Sequence, residues 1–319
     1  MPKATVRLCE VNANDEISEA PAFDLPISDH DVIVGTNKHG TFGTWNILNA
    51  NSPVSPGFCP AGITGLRRLH HKEEIQEHIR LVAQMIIDLF QNGVDALALQ
   101  EVPAKNEQYF EEFVRQLHKI SQENGIELDF DSFNESYAQT RKPLKKGADQ
   151  GYHGFATALL FKKRTFTLSQ ISALAGERGS SYVLKSTKSN EAITLLNIHG
   201  DYGQADKLAT EIASALVNPD TMILGDSNIA LTKEDAMNKL KQLKGVVVEP
   251  SSNREDTPDS LRTLDCFVTN IQTSYIFNSA CKNYAASPSV VSDSDSSLFA
   301  HKPKKEGPID TDSILNNGL

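Results

Sequence analysis

Several polar residues of the 319-residue chain stand where apolar, strand-like runs end, and their types suit metal or phosphate chemistry. Asn46 lies in TFGTWNIL (41–48), and Gln100-Glu101 close VDALALQEV (94–102). Asn197 and His199 end AITLLNIH, and TMIL runs into Gly225-Asp226-Ser227-Asn228. Asp265 sits in RTLDCFVTN, and Asp293 and Asp295 in VVSDSDSSLFA (290–300). Carboxylate and carboxamide oxygens suit a hard divalent cation. Imidazole and carboxylate can carry protons, and a carboxamide can donate a hydrogen bond to phosphate. Taken singly, each has a plainer explanation. Gly-Asp-Ser-Asn is ordinary turn chemistry, Glu101 before Val102-Pro103 suits a strand exit, and SDSDSS suits a low-complexity loop. Asp265 lies among apolar residues, where an unpaired carboxylate is costly, so a partner is expected.

The elements that must position these residues are legible from periodicity. Residues 72–91 carry Ile75, Ile79, Val82, Met85, Ile86 and Leu89 at helical spacing, and Gly93 supplies a stop. A second amphipathic helix is predicted near 106–123 and a third near 204–217, while Thr232 with Asp235 opens another in capping-box style. ATALLFKK, TFTLSQI, SYVLKST, AITLLNIH, GVVVEP and TSYIF read as further strands, several at hairpin spacing. Some strands are joined by helices and others by short turns, which excludes a doubly wound parallel sheet. The pattern predicts an α/β (α+β) four-layer sandwich, with two mixed β-sheets face to face and helices on the outer faces. Residues 1–30 read as a loosely ordered lead-in, 31–300 as one catalytic domain and 301–319 as a tail.

The formal net charge of −10 argues against nonspecific binding of duplex DNA, which usually needs a basic face. Positive charge is local, in RKPLKK (141–146) and KKR (162–164), where solvated loop charge is the simpler explanation. Cys9, Cys59, Cys266 and Cys281 show no C-x-x-C spacing, which argues against a zinc ribbon or a disulfide framework and for a reducing compartment. The amino terminus lacks the apolar core of a secretory signal, and no apolar run reaches membrane-spanning length. The expected location is the cytoplasm, or a route of export that needs no cleavable signal.

The serial order of Asn46, LQEV, a strand ending in histidine, ILGDSN, LDCFV and a closing Ser-Asp resembles the endonuclease/exonuclease/phosphatase superfamily, whose fold is that of deoxyribonuclease I. The resemblance spans roughly residues 40–300, and TWNILN, ATALLFKKRTF and YFEEFVRQL look most like the deadenylase and nocturnin branch. It implies a monomeric Mg2+- or Mn2+-dependent phosphoesterase acting on nucleic acid or nucleotides, with RNA or single-stranded DNA ahead of duplex. A phosphoinositide phosphatase or sphingomyelinase, and a non-catalytic binding protein on the same scaffold, are the alternatives.

The resemblance also implies roles. Glu101 is the principal metal ligand with Asn46 beside it, and Asp295 is a further one. Asp226 orients or deprotonates the attacking water, Asn228 donates to the phosphate, and His199 binds a phosphate oxygen or assists proton transfer. Asp265 orients the histidine of a closing Ser-Asp-His motif. Here the pattern departs, because the chain closes on SDSDSSLFA. In the register that lets SLFA continue as the final strand, Ser294-Asp295-Ser296 overlie Ser-Asp-His. The alternative register, Ser292-Asp293-Ser294, also lacks the histidine. With Ser296 in that place the expectation is a chain that binds metal and substrate but cleaves poorly, through natural loss or a His-to-Ser change.

Overall fold

A computed structural model describes residues 3–11, 17–28, 30, 32–47, 67–69, 72–103, 105, 109–130, 138–140, 154–174, 179–200, 205–226, 247–250, 265–271 and 273–279. In chain order the elements are β1 (Lys3–Val11), β2 (Ile17–Pro26), β3 (Val32–Asn37), β4 (Gly40–Asn46), β5 (Arg67–Leu69) and α1 (Lys72–Gln91). Then come β6 (Ala96–Pro103), α2 (Phe110–Glu123), β7 (Leu128–Asp129), β8 (Ala138–Thr140), β9 (Gly154–Lys162), β10 (Phe166–Ala173), β11 (Gly179–Ser186) and β12 (Ala192–His199). The last are α3 (Ala205–Ala215), β13 (Thr221–Asp226), β14 (Val247–Pro250), β15 (Asp265–Thr269) and β16 (Thr273–Ser279). The helix expected after Thr232 lies outside the described residues. These all fall within the compact unit Met1–Ser287, and the second unit, Pro288–Leu319, lies outside them.

One sheet has the order β16-β3-β4-β6-β9-β7 and the other β10-β11-β12-β13-β15-β14. Both are mixed. Each contains one parallel pair, β4 with β6 and β12 with β13, and every other pairing is antiparallel. A parallel pair needs a crossover, which α1 supplies in the first sheet and α3 in the second. Ile33, Phe42, Ala96, Ala98, Leu159 and Phe161 of the first sheet bury against Tyr182, Leu184, Ile193, Leu195, Met222, Leu224 and Phe267 of the second. The alternate residues of β6, Leu97 and Leu99, point to the other face and are fully buried too, so that face needs a cover. The paired helices α1 and α2 carry matching apolar stripes, and α3 packs Ile212 on Ile198, Ile223 and Val268 outside the second sheet. The outcome is the predicted four-layer sandwich.

Gly35 lets the two sheets approach closely at β3. A Cβ there would come within 2.6 Å of the Phe267 ring in the opposite sheet.

The amino-terminal stretch differs from the expected loose lead-in. Lys3–Val11 and Ile17–Pro26 pair as antiparallel strands, and β5 adds to them as a third. Ala4, Val6 and Leu8 alternate with polar neighbours in KATVRLCEV, a period-2 signal that outweighs the acidic, proline-bearing composition. Among the described residues no helix is long and apolar enough to cross a membrane.

Candidate active site

The two parallel pairs deliver four polar side chains from their carboxyl ends. Asn46 ends β4, Glu101 lies near the end of β6, His199 ends β12 and Asp226 ends β13. In register, Asn46 stands opposite Gln100, and His199 opposite Asp226. Crevices outside the carboxyl ends of such strands are where open α/β sheets bind ligands. The four side chains meet between the sheets. Asn46 Nδ2 donates to Asp226 Oδ2 at 2.9 Å and to Glu101 Oε1 at 3.3 Å. His199 Nε2 lies 3.6 Å from Glu101 Oε1 and 3.9 Å from Asp226 Oδ2. Asp226 is 1% exposed and Asn46 fully buried, whereas the Glu101 side chain keeps 16% of its surface open.

Local backbone departures aim two of these groups. Gly225 has φ +147°, and a Cβ there would collide with the Ile198 carbonyl oxygen. Only glycine fits this contact between β12 and β13, one residue before Asp226. In β6 the ladder to β9 slips, because Leu99 pairs with Ala158 but Val102 pairs with Ala156. Gln100 and Glu101 therefore oppose the single residue Thr157, the geometry of a β-bulge. Glu101 takes φ +53°, a left-handed conformation that non-glycine residues seldom adopt. Bulges and such outliers gather at sites where a side chain must be re-aimed.

A fifth group, His30, was not anticipated from the sequence. Its imidazole is buried, with Nε2 3.8 Å from Asp226 Oδ2. Two imidazoles and one carboxamide thus surround the same carboxylate oxygen. The Ser28 hydroxyl donates to the Asn46 carbonyl at 2.6 Å and accepts the His30 N–H at 3.0 Å. Trp45 Nε1 donates to the His30 carbonyl at 3.3 Å. These bonds fasten the segment before β3 to the end of β4. The signal that could have found it is Ser28-Asp29-His30, a Ser-Asp-His triplet directly ahead of an apolar strand.

Asp265 begins β15, and its Cα pairs in register with that of Asp226. Asn228, Asp293, Asp295 and Ser296 lie outside the described residues.

A hard cation such as Mg2+ keeps several waters and takes one or two carboxylates. The partly open Glu101 carboxylate beside Asp226 suits that demand, and the Asn46 carboxamide supplies a neutral oxygen. Among the described residues no group of three or more His, Cys, Asp or Glu forms a ready cage. Two carboxylates and a carboxamide oxygen are the kind of donors that a hard divalent cation takes.

No protein-family model matches the sequence, and no curated protein does. Solved structures do resemble the fold. The endonuclease/exonuclease/phosphatase from Bacteroides vulgatus is 15% identical with a TM-score of 0.43, over 75% of this chain and 87% of that one. The human Nocturnin catalytic domain with bound sulfate is also 15% identical with a TM-score of 0.43, over 76% and 86%. A humanized D. rerio TDP2 is 12% identical with a TM-score of 0.39, over 72% and 82%.

Proposed function

We propose that the chain is a metal-dependent phosphoesterase of the endonuclease/exonuclease/phosphatase superfamily that hydrolyses phosphodiester bonds, as a nuclease or a nucleotide phosphodiesterase. The observation that carries this reading is the convergence of Asn46, Glu101, His199 and Asp226 from the carboxyl ends of both parallel strand pairs. Glu101 and the Asn46 carboxamide oxygen would hold Mg2+ or Mn2+. When bound, the cation polarises a phosphoryl oxygen and stabilises charge on the leaving oxygen.

The chain's own residues do the rest. Asp226 orients a water and takes its proton as the water oxygen bonds to phosphorus and the ester oxygen departs. Asn46, donating to Asp226 and Glu101 together, fixes both carboxylates before substrate arrives. His199 and His30 approach Asp226 and supply the N–H donors or proton carriers for the negative charge that builds on the phosphodiester as water attacks. Asn228 is proposed to donate to the phosphate, and Asp295 to complete the ligand set.

His30 revises the expectation of an impaired enzyme. That expectation rested on the absence of an imidazole at Ser296. Ser28-Asp29-His30 with the following β3 supplies the motif and the strand, ahead of the first core strand and not behind the last. The strand order supports this, because β3 lies between β16 and β4. The chain is therefore proposed to be active as it stands. A panel of RNA, single-stranded DNA, dinucleotides and inositol phosphates, each with Mg2+ and with chelator, tests the reading. Chelator-sensitive cleavage abolished by Glu101→Ala is expected, and cleavage of none of these, or cleavage indifferent to Glu101, would overturn it.

A further inference from the structure

The ladder slip that re-aims Glu101 is braced from the opposite sheet. Two residues of β6 face one of β9, so the ladder is locally disrupted at the mouth of the bulge. The groups at that mouth are the carbonyls of Leu99 and Ala158, the last pair before the slip. Asn197, reaching across from β12 in the second sheet, donates Nδ2 to the Leu99 carbonyl at 3.0 Å and to the Ala158 carbonyl at 2.9 Å. Its Oδ1 accepts from Gln100 Nε2 at 2.7 Å, and Gln100 Nε2 also donates to Thr44 Oγ1 at 3.1 Å. The Gln100 carbonyl accepts from the Ile47 N–H at 3.1 Å. Asn197 and Gln100 are both fully buried.

We infer that the Asn197–Gln100 amide pair is a positioning device, a plug from the opposite sheet that holds the β6 bulge open and Glu101 in its left-handed conformation. The inference rests on the metal-dependent reading above for its functional consequence, and on the hydrogen bonds alone for its structural one. A carboxamide is the side chain that the site requires. Bonding both carbonyls at once takes two N–H donors on one nitrogen, and accepting from the Gln100 amide takes an oxygen on the same short side chain. Serine or threonine offers one donor, and aspartate offers none. Asn197 touches neither Glu101 nor any expected reacting atom in these contacts, so it acts through the bulge.

The test compares Asn197→Ala with Leu184→Ala, a core truncation of the same sandwich at a side chain that takes no part in these hydrogen bonds. Both proteins are studied well below their melting temperatures. The first readout needs no metal: the Cα and Cβ chemical shifts of Glu101, which report the sign of φ. The second is Mn2+ binding by calorimetry. Asn197→Ala should move the Glu101 shifts to extended-strand values and weaken Mn2+ about 10–100-fold, the usual effect of losing an outer partner of a metal ligand. Leu184→Ala should lower the melting temperature and leave both readouts in place. If Asn197→Ala does not fold, Gln100→Met keeps the volume, removes the amide and carries the same test. Unchanged Glu101 shifts in a folded variant overturn the inference. Moved shifts in a protein whose parent binds no Mn2+ support the plug and overturn the metal-dependent function instead.

Discussion

The imidazole of His30 and the carboxylate of Asp226 stand 3.8 Å apart, each buried, the one just before β3 of the first sheet and the other at the end of β13 in the second. Removing an imidazole that assists proton transfer costs on the order of 10²–10⁴ in rate. His30→Ala should therefore lose cleavage by that factor while Mg2+ binding persists. Ser296→His should bring no gain. A hundredfold gain from Ser296→His, with His30→Ala indistinguishable from parent, would return the role to the carboxyl-terminal segment.

Glu101 is the partly open carboxylate among these buried neighbours, and so the proposed first ligand. Calorimetric titration of Glu101→Ala should show loss of Mg2+ affinity, with Glu101→Gln intermediate because it keeps an oxygen without the charge. Affinity equal to that of the parent in Glu101→Ala would remove the assignment.

At Gly225 the argument is steric and independent of function. Any Cβ meets the Ile198 carbonyl, and φ +147° is foreign to other residues. Strained backbone of this kind costs roughly 1–3 kcal/mol. Gly225→Ala should lower the unfolding free energy by roughly that amount and displace Asp226, reducing kcat more than stability alone explains. A variant as stable and active as the parent would mean that β13 runs differently at this point.

Much of the frame was legible in the residues. Helix α1 spans the predicted 72–91, and the strands that end in Asn46, Glu101, His199 and Asp226 lie where period and composition put them. Strand-end chemistry is local, so it can be read one segment at a time. The bulge could not be read this way. Nothing in LQEV announces that Glu101 will adopt positive φ, because the conformation is held by Asn197 from another sheet. Ser28-Asp29-His30 escaped for a different reason. The motif is present in the chain, but the expected order put it last, and its partner Asp226 becomes visible only when β3 lies beside β4.

A charged cluster built on Lys38, His39 and Asp220 makes a pH prediction that needs no substrate. The His39 imidazole, 3.0 Å from Asp220, and the Lys38 ammonium at 2.9 Å hold the Asp220 carboxyl below its usual value near 3.8. A folded-state pKa below the unfolded one contributes stability that is full above the unfolded value and lost as pH falls through the folded one. Asp220 is one-third exposed, so the contribution is about 1 kcal/mol or less. Asp220→Asn should melt below the parent at neutral pH, and the gap should close only in acid beneath the usual carboxylate range. A gap that stays constant down to strong acid would mean that packing, not charge, distinguishes the two.

The substrate's size can be judged from salt. The chain is acidic overall, yet Arg141, Lys142, Lys145 and Lys146 fall within six residues. A polyanion that neutralises such cations releases counterions, and its binding weakens steeply as salt rises. A mononucleotide or dinucleotide engages too few phosphates to show that slope. If RNA or single-stranded DNA is the substrate, KM should climb with ionic strength while kcat stays level. Charge reversal of Lys142, Lys145 and Lys146 to glutamate should then raise KM at low salt and flatten its salt dependence. Each lost phosphate contact removes about 0.7 from the logarithmic slope for a single strand. A parent enzyme with the same KM from low to high salt would favour a small nucleotide and leave the basic stretch as solvated charge. A steep slope untouched by the three reversals would move the polyanion's path to another face of the protein.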